Sequence, residues 1–283
     1  MPAGPQLLRH ARGSLDLSQP VVMGVLNITP DSFSDGGMFL DPARALEQAQ
    51  RMEAEGAAII DLGAESTRPG AAPVPAAEQL ARLLPVLRQL ARGSRALLSV
   101  DTSDPEVITA AVCEGAALVN DVRALRRPGA LEAVARSGAA ACLMHMRGEP
   151  ATMQQEASYD DVVAEVRAML AGRIAACGEA GVGRDRLLAD PGFGFAKLAG
   201  HNLRLLRELR SLAPLGVPLL VGLSRKSMLQ AITGRASGDR LAGSVALAAI
   251  AVMQGAAVVR AHDVAATVDA VRVAAAVRSV EGN

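Results

Sequence analysis

The sequence predicts an α/β fold, a single-domain (β/α)8 barrel of the TIM type, on three observations. Short apolar runs alternate with longer amphipathic segments, and eight such runs can be counted. Most runs are rich in Val, Leu or Ile without clear alternation, as strands buried on both faces of a parallel sheet read. The 283 residues suit one barrel, which typically uses about 250. The alternative is an open doubly wound sheet, whose mark is a glycine-rich phosphate loop after the first strand. Here the first run leads instead into Asn27-Ile28-Thr29-Pro30-Asp31, and the glycines of residues 190–195 fail the G-x-G-x-x-G pattern at Lys197.

In chain order the runs are residues 21–26, 58–62, 96–100, 117–119, 139–144, 187–189, 218–223 and 257–259. Between them lie helical patterns. Leu80, Leu83, Leu84, Leu87 and Leu90 fall on one helical face, as do Leu241, Val245, Ala248, Ala249 and Val252. Asp41-Pro42 and Asp104-Pro105 place a capping carboxylate before a proline suited to a first turn. Pro85 predicts a kink in its helix. The barrel is expected over about residues 20–280, with 1–19 as an N-terminal extension.

Lys plus Arg equals Asp plus Glu, so the formal charge is zero. Nothing suggests a nucleic-acid or anionic-membrane surface, which needs clustered basic excess. Cys113, Cys142 and Cys177 have no metal-ligand spacing and cannot all pair within one chain, which fits a reducing compartment. No apolar segment follows Arg9 and Arg12 as in a signal peptide. The longest apolar stretch, 241–259, is interrupted by Ser244, Gln254 and Gly255 and reads as a buried helix and strand. A cytoplasmic location is expected.

Barrel enzymes work at the C-terminal ends of their strands. The groups that close the eight runs are Asn27; Asp61 with Glu65; Asp101; Asn120 with Asp121; His145; Asp190; Ser224 with Lys226; and Arg260 with His262. Polar strand ends could merely mark where solvent begins. The scarcity of the residues used argues otherwise: of 29 basic residues only Lys197 and Lys226 are lysines, and Asn27 and Asn120 are two of four asparagines. A lysine at a strand end, where arginine serves almost everywhere else, suggests a need for a compact ammonium. Asp101, Asn120 and Asp190 offer acceptors suited to a flat heterocycle with amidine-like N–H donors. Arg68, Arg260 and His262 offer cationic donors suited to a diphosphate, unless they pair with those same aspartates. His145, flanked by two methionines, reads equally well as a core histidine. No metal cluster appears, but Mg²⁺ prefers few protein ligands plus substrate phosphates.

Taken together, these blocks resemble the dihydropteroate synthase family from about Val21 to Val273. Residues 22–37 (VMGVLNITPDSFSDGG) and 61–70 (DLGAESTRPG) are similar to its first two signatures. Residues 99–102 (SVDT), 119–121 (VND), 143–146 (LMHM), 190–195 (DPGFGF), 224–227 (SRKS) and 260–262 (RAH) follow its later blocks in order. The sequence departs from the family at Ala196, where glycine is commoner, and at Asp239, where glutamate is.

The resemblance implies condensation of a pterin diphosphate with p-aminobenzoate. Asp101, Asn120, Asp190 and Lys226 would hold the pterin, and Met144 and Gly222 would line its slot. Asn27 would meet Mg²⁺ and the diphosphate, with Arg260 and His262 also on the diphosphate. Thr67, Arg68, Pro69, Phe195 and Ser227 would form the p-aminobenzoate site, with Thr67 and Arg68 reaching the diphosphate once loops 29–40 and 65–75 close. Asp101, Asp190, Lys226 and Arg260 would carry the catalysis. A homodimer is implied through barrel helices. A methyltetrahydrofolate methyltransferase would share the Asp and Asn contacts but not the Thr67-Arg68-Pro69 loop or the 224–227 block. A silent paralogue would have lost loop residues that are present here.

Overall fold

The computed structural model describes residues 7–29, 42–65, 73–149 and 152–280. Two short strands, β1 (Leu7–His10) and β2 (Gly13–Asp16), form an antiparallel hairpin. Eight parallel strands then close into a barrel in sequence order: β3 (Val21–Asn27), β4 (Ile59–Gly63), β5 (Leu97–Asp101), β6 (Leu118–Asp121), β7 (Ala140–Met144), β8 (Leu187–Asp190), β9 (Leu219–Gly222) and β10 (Ala256–Ala261), with β10 pairing back to β3. All eight apolar runs become barrel strands, each within a residue or two of its expected bounds.

The helices follow in the expected alternation: α1 (Pro42–Ala54), α2 (Ala76–Gly93), α3 (Pro105–Cys113), α4 (Ala130–Ser137), α5 (Val162–Glu179) and α6 (Ala199–Arg207). Two helices, α7 (Ser227–Thr233) and α8 (Leu241–Met253), fill the crossover after β9, and α9 (Val264–Ser279) follows β10. Asp104 caps α3 as its sequence predicts, accepting from the Glu106 and Val107 amides. Pro42 opens α1, while Asp41 lies outside the described residues.

Two amphipathic faces differ from expectation. In α2 the buried set is Gln79, Leu83, Val86, Leu87 and Leu90, and the helix runs through Pro85 as one element. Gln79 can be buried because both ends of its amide are satisfied, by Thr102 Oγ1 and the Val74 carbonyl. In α8 the buried face is Ser244, Leu247, Ala248, Ala251 and Val252, whereas Leu241 is 46% exposed. That helix is apolar on every side, so periodicity carries little information about its rotation. The Ser244 hydroxyl decides it, accepting from the Arg225 amide and donating to the Arg240 carbonyl.

The strands do alternate, although both faces are buried. Val22, Ile60, Leu62, Val100, Leu143 and Val221 face the helices and belong to the main core. Met23, Ile59, Leu118, Cys142, Leu188, Leu220 and Val258 face the lumen in a separate cluster. Leu8 of the hairpin and Leu17 just after it, each 1% exposed, join that lumen cluster. The hairpin thus closes the N-terminal end of the barrel. Burying two leucines there stabilises the fold by roughly 1.5–3 kcal/mol each.

Candidate active site

The lumen changes character within one pleat. Two residues beyond Ile59, Leu118, Leu188 and Val258 stand Asp61, Asn120, Asp190 and Arg260, with Asp101 beside them at the end of β5. Asp61 is wholly buried; it accepts from Ser99 Oγ at 2.6 Å, from Asn120 Nδ2 at 3.0 Å and from Arg260 Nε at 2.7 Å. Arg260 Nη2 also donates to Asp101 Oδ2 at 2.9 Å. Burial pushes the Asp101 carboxyl up to about 7, with Arg260 opposing and Asp61 adding to the rise. Burial works against the charge of Arg260 too, but Asp61 and Asp101 outweigh it and hold the guanidinium protonated.

The next strand end builds a second half. Asp190 accepts from the Gly192 amide at 2.7 Å, and its carboxyl is raised by burial against the pull of that bond and of Lys226. Gly192 sits at φ +69°, where a Cβ would lie 2.0 Å from the His145 carbonyl oxygen, so only glycine fits. The chain then brings Phe195 under Lys226, whose Nζ lies 4.4 Å from the ring centroid. Burial lowers Lys226 to about 8, although Asp190 counters it, so the ammonium remains the majority form at neutral pH. Met144 is buried at the end of β7. Among the described residues a Cβ added at Gly222 would meet nothing within 4 Å, so there is open space beside β9 at this end.

Lys197 has a different task. It is 4% exposed, and its Nζ donates to the Gly192 carbonyl at 3.0 Å, the Phe195 carbonyl at 2.9 Å and His145 Nδ1 at 2.9 Å. It therefore ties residues 190–197 into a fixed turn. Burial lowers it to about 7 and drives His145 to about 3, so His145 is neutral and accepts from the lysine. This makes His145 a core histidine. Ala196, one of the two departures from the family pattern, has φ 50°, a left-handed conformation that explains why glycine is commoner there.

At β9 and β10, Ser224 Oγ meets His262 Nδ1 at 3.0 Å. Arg225, at φ 58°, is clamped by Asp263 through Nε at 3.1 Å and Nη2 at 2.6 Å, while Arg240 holds its carbonyl at 2.9 Å. These contacts fix the turn that carries Lys226 and Ser227. Asn27 ends β3 beside Gly63, which lies between the side chains of Asn27 and Asp101. The amide oxygen of Asn27 suits a single contact to a Mg²⁺ carried by phosphate oxygens. Among the described residues there is no cluster of three or more His, Cys, Asp or Glu to form a protein cage.

The structure thus gathers Asn27, Asp101, Asn120, Met144, Asp190, Phe195, Gly222, Lys226, Ser227, Arg260 and His262 around the C-terminal end of the barrel. Thr67, Arg68 and Pro69 lie outside the described residues. Arg260 is a cation paired with acids, the alternative its sequence left open. One expectation about charge needs correction: burial, reinforced by Arg260 and Arg225, lowers His262 to about 4, so His262 is neutral at physiological pH. The sequence also flagged Asp61 without giving it a role. Its only signal was an acid on an otherwise apolar strand.

Comparison with known proteins identifies the family. Residues 23–262 match the model of a family described as pterin binding enzyme. The dihydropteroate synthase of Escherichia coli strain K12 is 51% identical over 270 residues, 95% of this chain and 96% of that one. A structure of the Xanthomonas albilineans dihydropteroate synthase with 4-aminobenzoic acid superposes with a TM-score of 0.92 at 49% identity, covering 98% of this chain and all of that one. The same enzyme in complex with 7,8-dihydropteroate gives 0.88 at 46% identity, over 97% of this chain and all of that one. The chain belongs to the dihydropteroate synthase family.

Proposed function

We infer that this chain is the transferase of folate biosynthesis that condenses 6-hydroxymethyl-7,8-dihydropterin diphosphate with p-aminobenzoate, giving 7,8-dihydropteroate and diphosphate. The observation that carries the reading is the network in which Asp61 accepts from Asn120 and Arg260 while Arg260 also donates to Asp101, beside Asp190 and Lys226, at the mouth of an otherwise apolar barrel. In this reading Asp101, Asn120, Asp190 and Lys226 bind the pterin, and Met144 and Gly222 line its slot. Arg260, neutral His262, Asn27, Thr67 and Arg68 receive the diphosphate. Thr67, Arg68, Pro69, Phe195 and Ser227 form the p-aminobenzoate site.

The C–O bond at the exocyclic methylene breaks first, its electron pair leaving with the diphosphate. Asp101 and Asp190 stabilise the positive charge left on the pterin, and Lys226 holds a proton against one of its acceptor atoms. The aryl amine then supplies the pair for the new C–N bond and loses its proton. A bound Mg²⁺, held at Asn27 Oδ1 and by phosphate oxygens, would neutralise charge on the leaving group. Closure of loops 29–40 and 65–75 would exclude the water that competes for the cation.

Leu241 and Ile250 on α8, with Val273 and Val277 on α9, are 46–65% exposed and offer an apolar surface for a homodimer. Light scattering of the purified chain tests that arrangement; a monomer would count against it.

A diphosphate-release assay with both substrates tests the reaction, and no release would refute it. The ordered route also requires p-aminobenzoate to bind only after the pterin diphosphate or diphosphate, so tight binding to the bare protein would count against it. Arg68→Ala should raise KM for p-aminobenzoate about tenfold or more, and unchanged kinetics would remove that residue from the site.

A further inference from the structure

Asp61 is wholly buried at 0% exposure, and no substrate contact falls to it in the reading above. Yet its carboxylate ties four strands: β4, which carries it, and β5, β6 and β10 through Ser99, Asn120 and Arg260. Burying a carboxylate is costly, and an apolar side chain would serve stability at least as well. The arrangement makes chemical sense through what it forces on its neighbours.

An ionised carboxylate only accepts hydrogen bonds. By taking Asn120 Nδ2 at 3.0 Å it fixes the amide's orientation and leaves Asn120 Oδ1, an acceptor, for anything in the slot. By taking Arg260 Nε at 2.7 Å it also sets the plane of the guanidinium, so that Nη2 meets a single oxygen of Asp101 at 2.9 Å. An unanchored arginine would turn to grip both oxygens of Asp101, the favoured fork-to-fork pairing, and withdraw them from a ligand.

We propose that Asp61 is a positioning residue that sets the hydrogen-bond polarity of the pterin slot, making Asn120 present an acceptor and keeping Asp101 from capture by Arg260. The heterocycle selected is one that offers N–H donors at both points. The proposal rests on the functional reading above, and its test can fail separately from that reading.

The full chain is compared with Asp61→Asn and Ser99→Ala, each checked for fold by circular dichroism. Binding of 6-hydroxymethyl-7,8-dihydropterin is measured by calorimetry, and steady-state rates are measured with each substrate varied. Asp61→Asn should weaken pterin binding about 30-fold, the worth of a hydrogen bond to a charged group. It should lower kcat/KM for the pterin diphosphate in parallel and leave KM for p-aminobenzoate within about twofold. Ser99→Ala should show the same split at roughly fivefold, because it removes one of the bonds that hold Asp61 and leaves the carboxylate in place, and it decides the matter if Asp61→Asn does not fold. Pterin binding unchanged in the folded variants, or equal losses for both substrates with a lowered melting point, would overturn the proposal. Absent turnover in the wild type would strike the functional reading alone, because the calorimetric comparison needs no turnover.

Discussion

The two ends of the barrel lumen are built from the same strands and obey opposite rules. At the N-terminal end Ile59, Leu118, Leu188, Leu220 and Val258 pack with Leu8 and Leu17 into a dry plug. One pleat repeat along, about 7 Å, Asp61, Asn120, Asp190, Gly222 and Arg260 occupy the equivalent inward positions. The plug is stabilised by burying surface that demands nothing of its partners. The mouth places charges where burial raises carboxyls and lowers Lys226, and it is tolerable only because nearly every group is paired. Stability and chemistry are thus separated along one axis, and each should be open to damage without the other.

The largest break in that separation should come at the mouth. Lys226→Ala or Asp101→Asn is expected to lower kcat about a thousand-fold, some 4 kcal/mol in the barrier, while circular dichroism and the melting point stay near wild type. Near-normal turnover in either variant would remove that residue from the site. Leu8→Ala is the mirror experiment: chemical denaturation should show a loss of about 2–4 kcal/mol, with kcat within about twofold under conditions where the chain is folded. A comparable fall in kcat would mean that the two ends are coupled.

A finer test uses acid. His145 takes up its proton in the unfolded chain near 6.5 but in the folded chain only near 3. Its contribution to stability is therefore present above about 6.5 and is lost progressively as pH falls towards 3. His145→Gln keeps an acceptor for Lys197 and should lose less stability than wild type between those limits. Asp101 and Asp190, whose carboxyls are raised, push the other way in both proteins, so the difference between the two curves is the quantity to read. Identical curves would place His145 in a solvated setting. The smallest effect is expected at Ala196→Gly. Relief of the left-handed alanine should raise stability by about 0.5–1 kcal/mol, and a lower melting point would show that the packing of its buried methyl group outweighs the backbone strain.

The sequence shows the barrel clearly because parallel strands buried on both faces leave unbroken apolar runs, and it shows the mouth because scarce residues mark the strand ends. The N-terminal hairpin was harder to see. Leu7-Leu8 and Leu15-x-Leu17 are too short to announce a strand pair, and their partners lie in strands far along the chain. The rotation of α8 was invisible for another reason: in a helix apolar all round, the deciding contact is the Ser244 hydroxyl, which reads as a polar interruption. Likewise, in one dimension Arg260 looks unpaired and His262 looks cationic. Only the fold brings Asp61 and Asp101 to the former and buries the latter beside other cations.

Gly222 leaves open space on β9, so an added methyl group there would collide with no atom of the described residues. Gly192, at the same mouth, is constrained by folding, because a Cβ there would strike the His145 carbonyl. Among the described residues nothing constrains Gly222 sterically, and in the functional reading above it answers to the ligand. A change at that codon would pass through the folding filter unnoticed and be judged only by what it does to molecules sharing the slot. A lineage under pressure from a competitor of the natural substrate could explore that position freely.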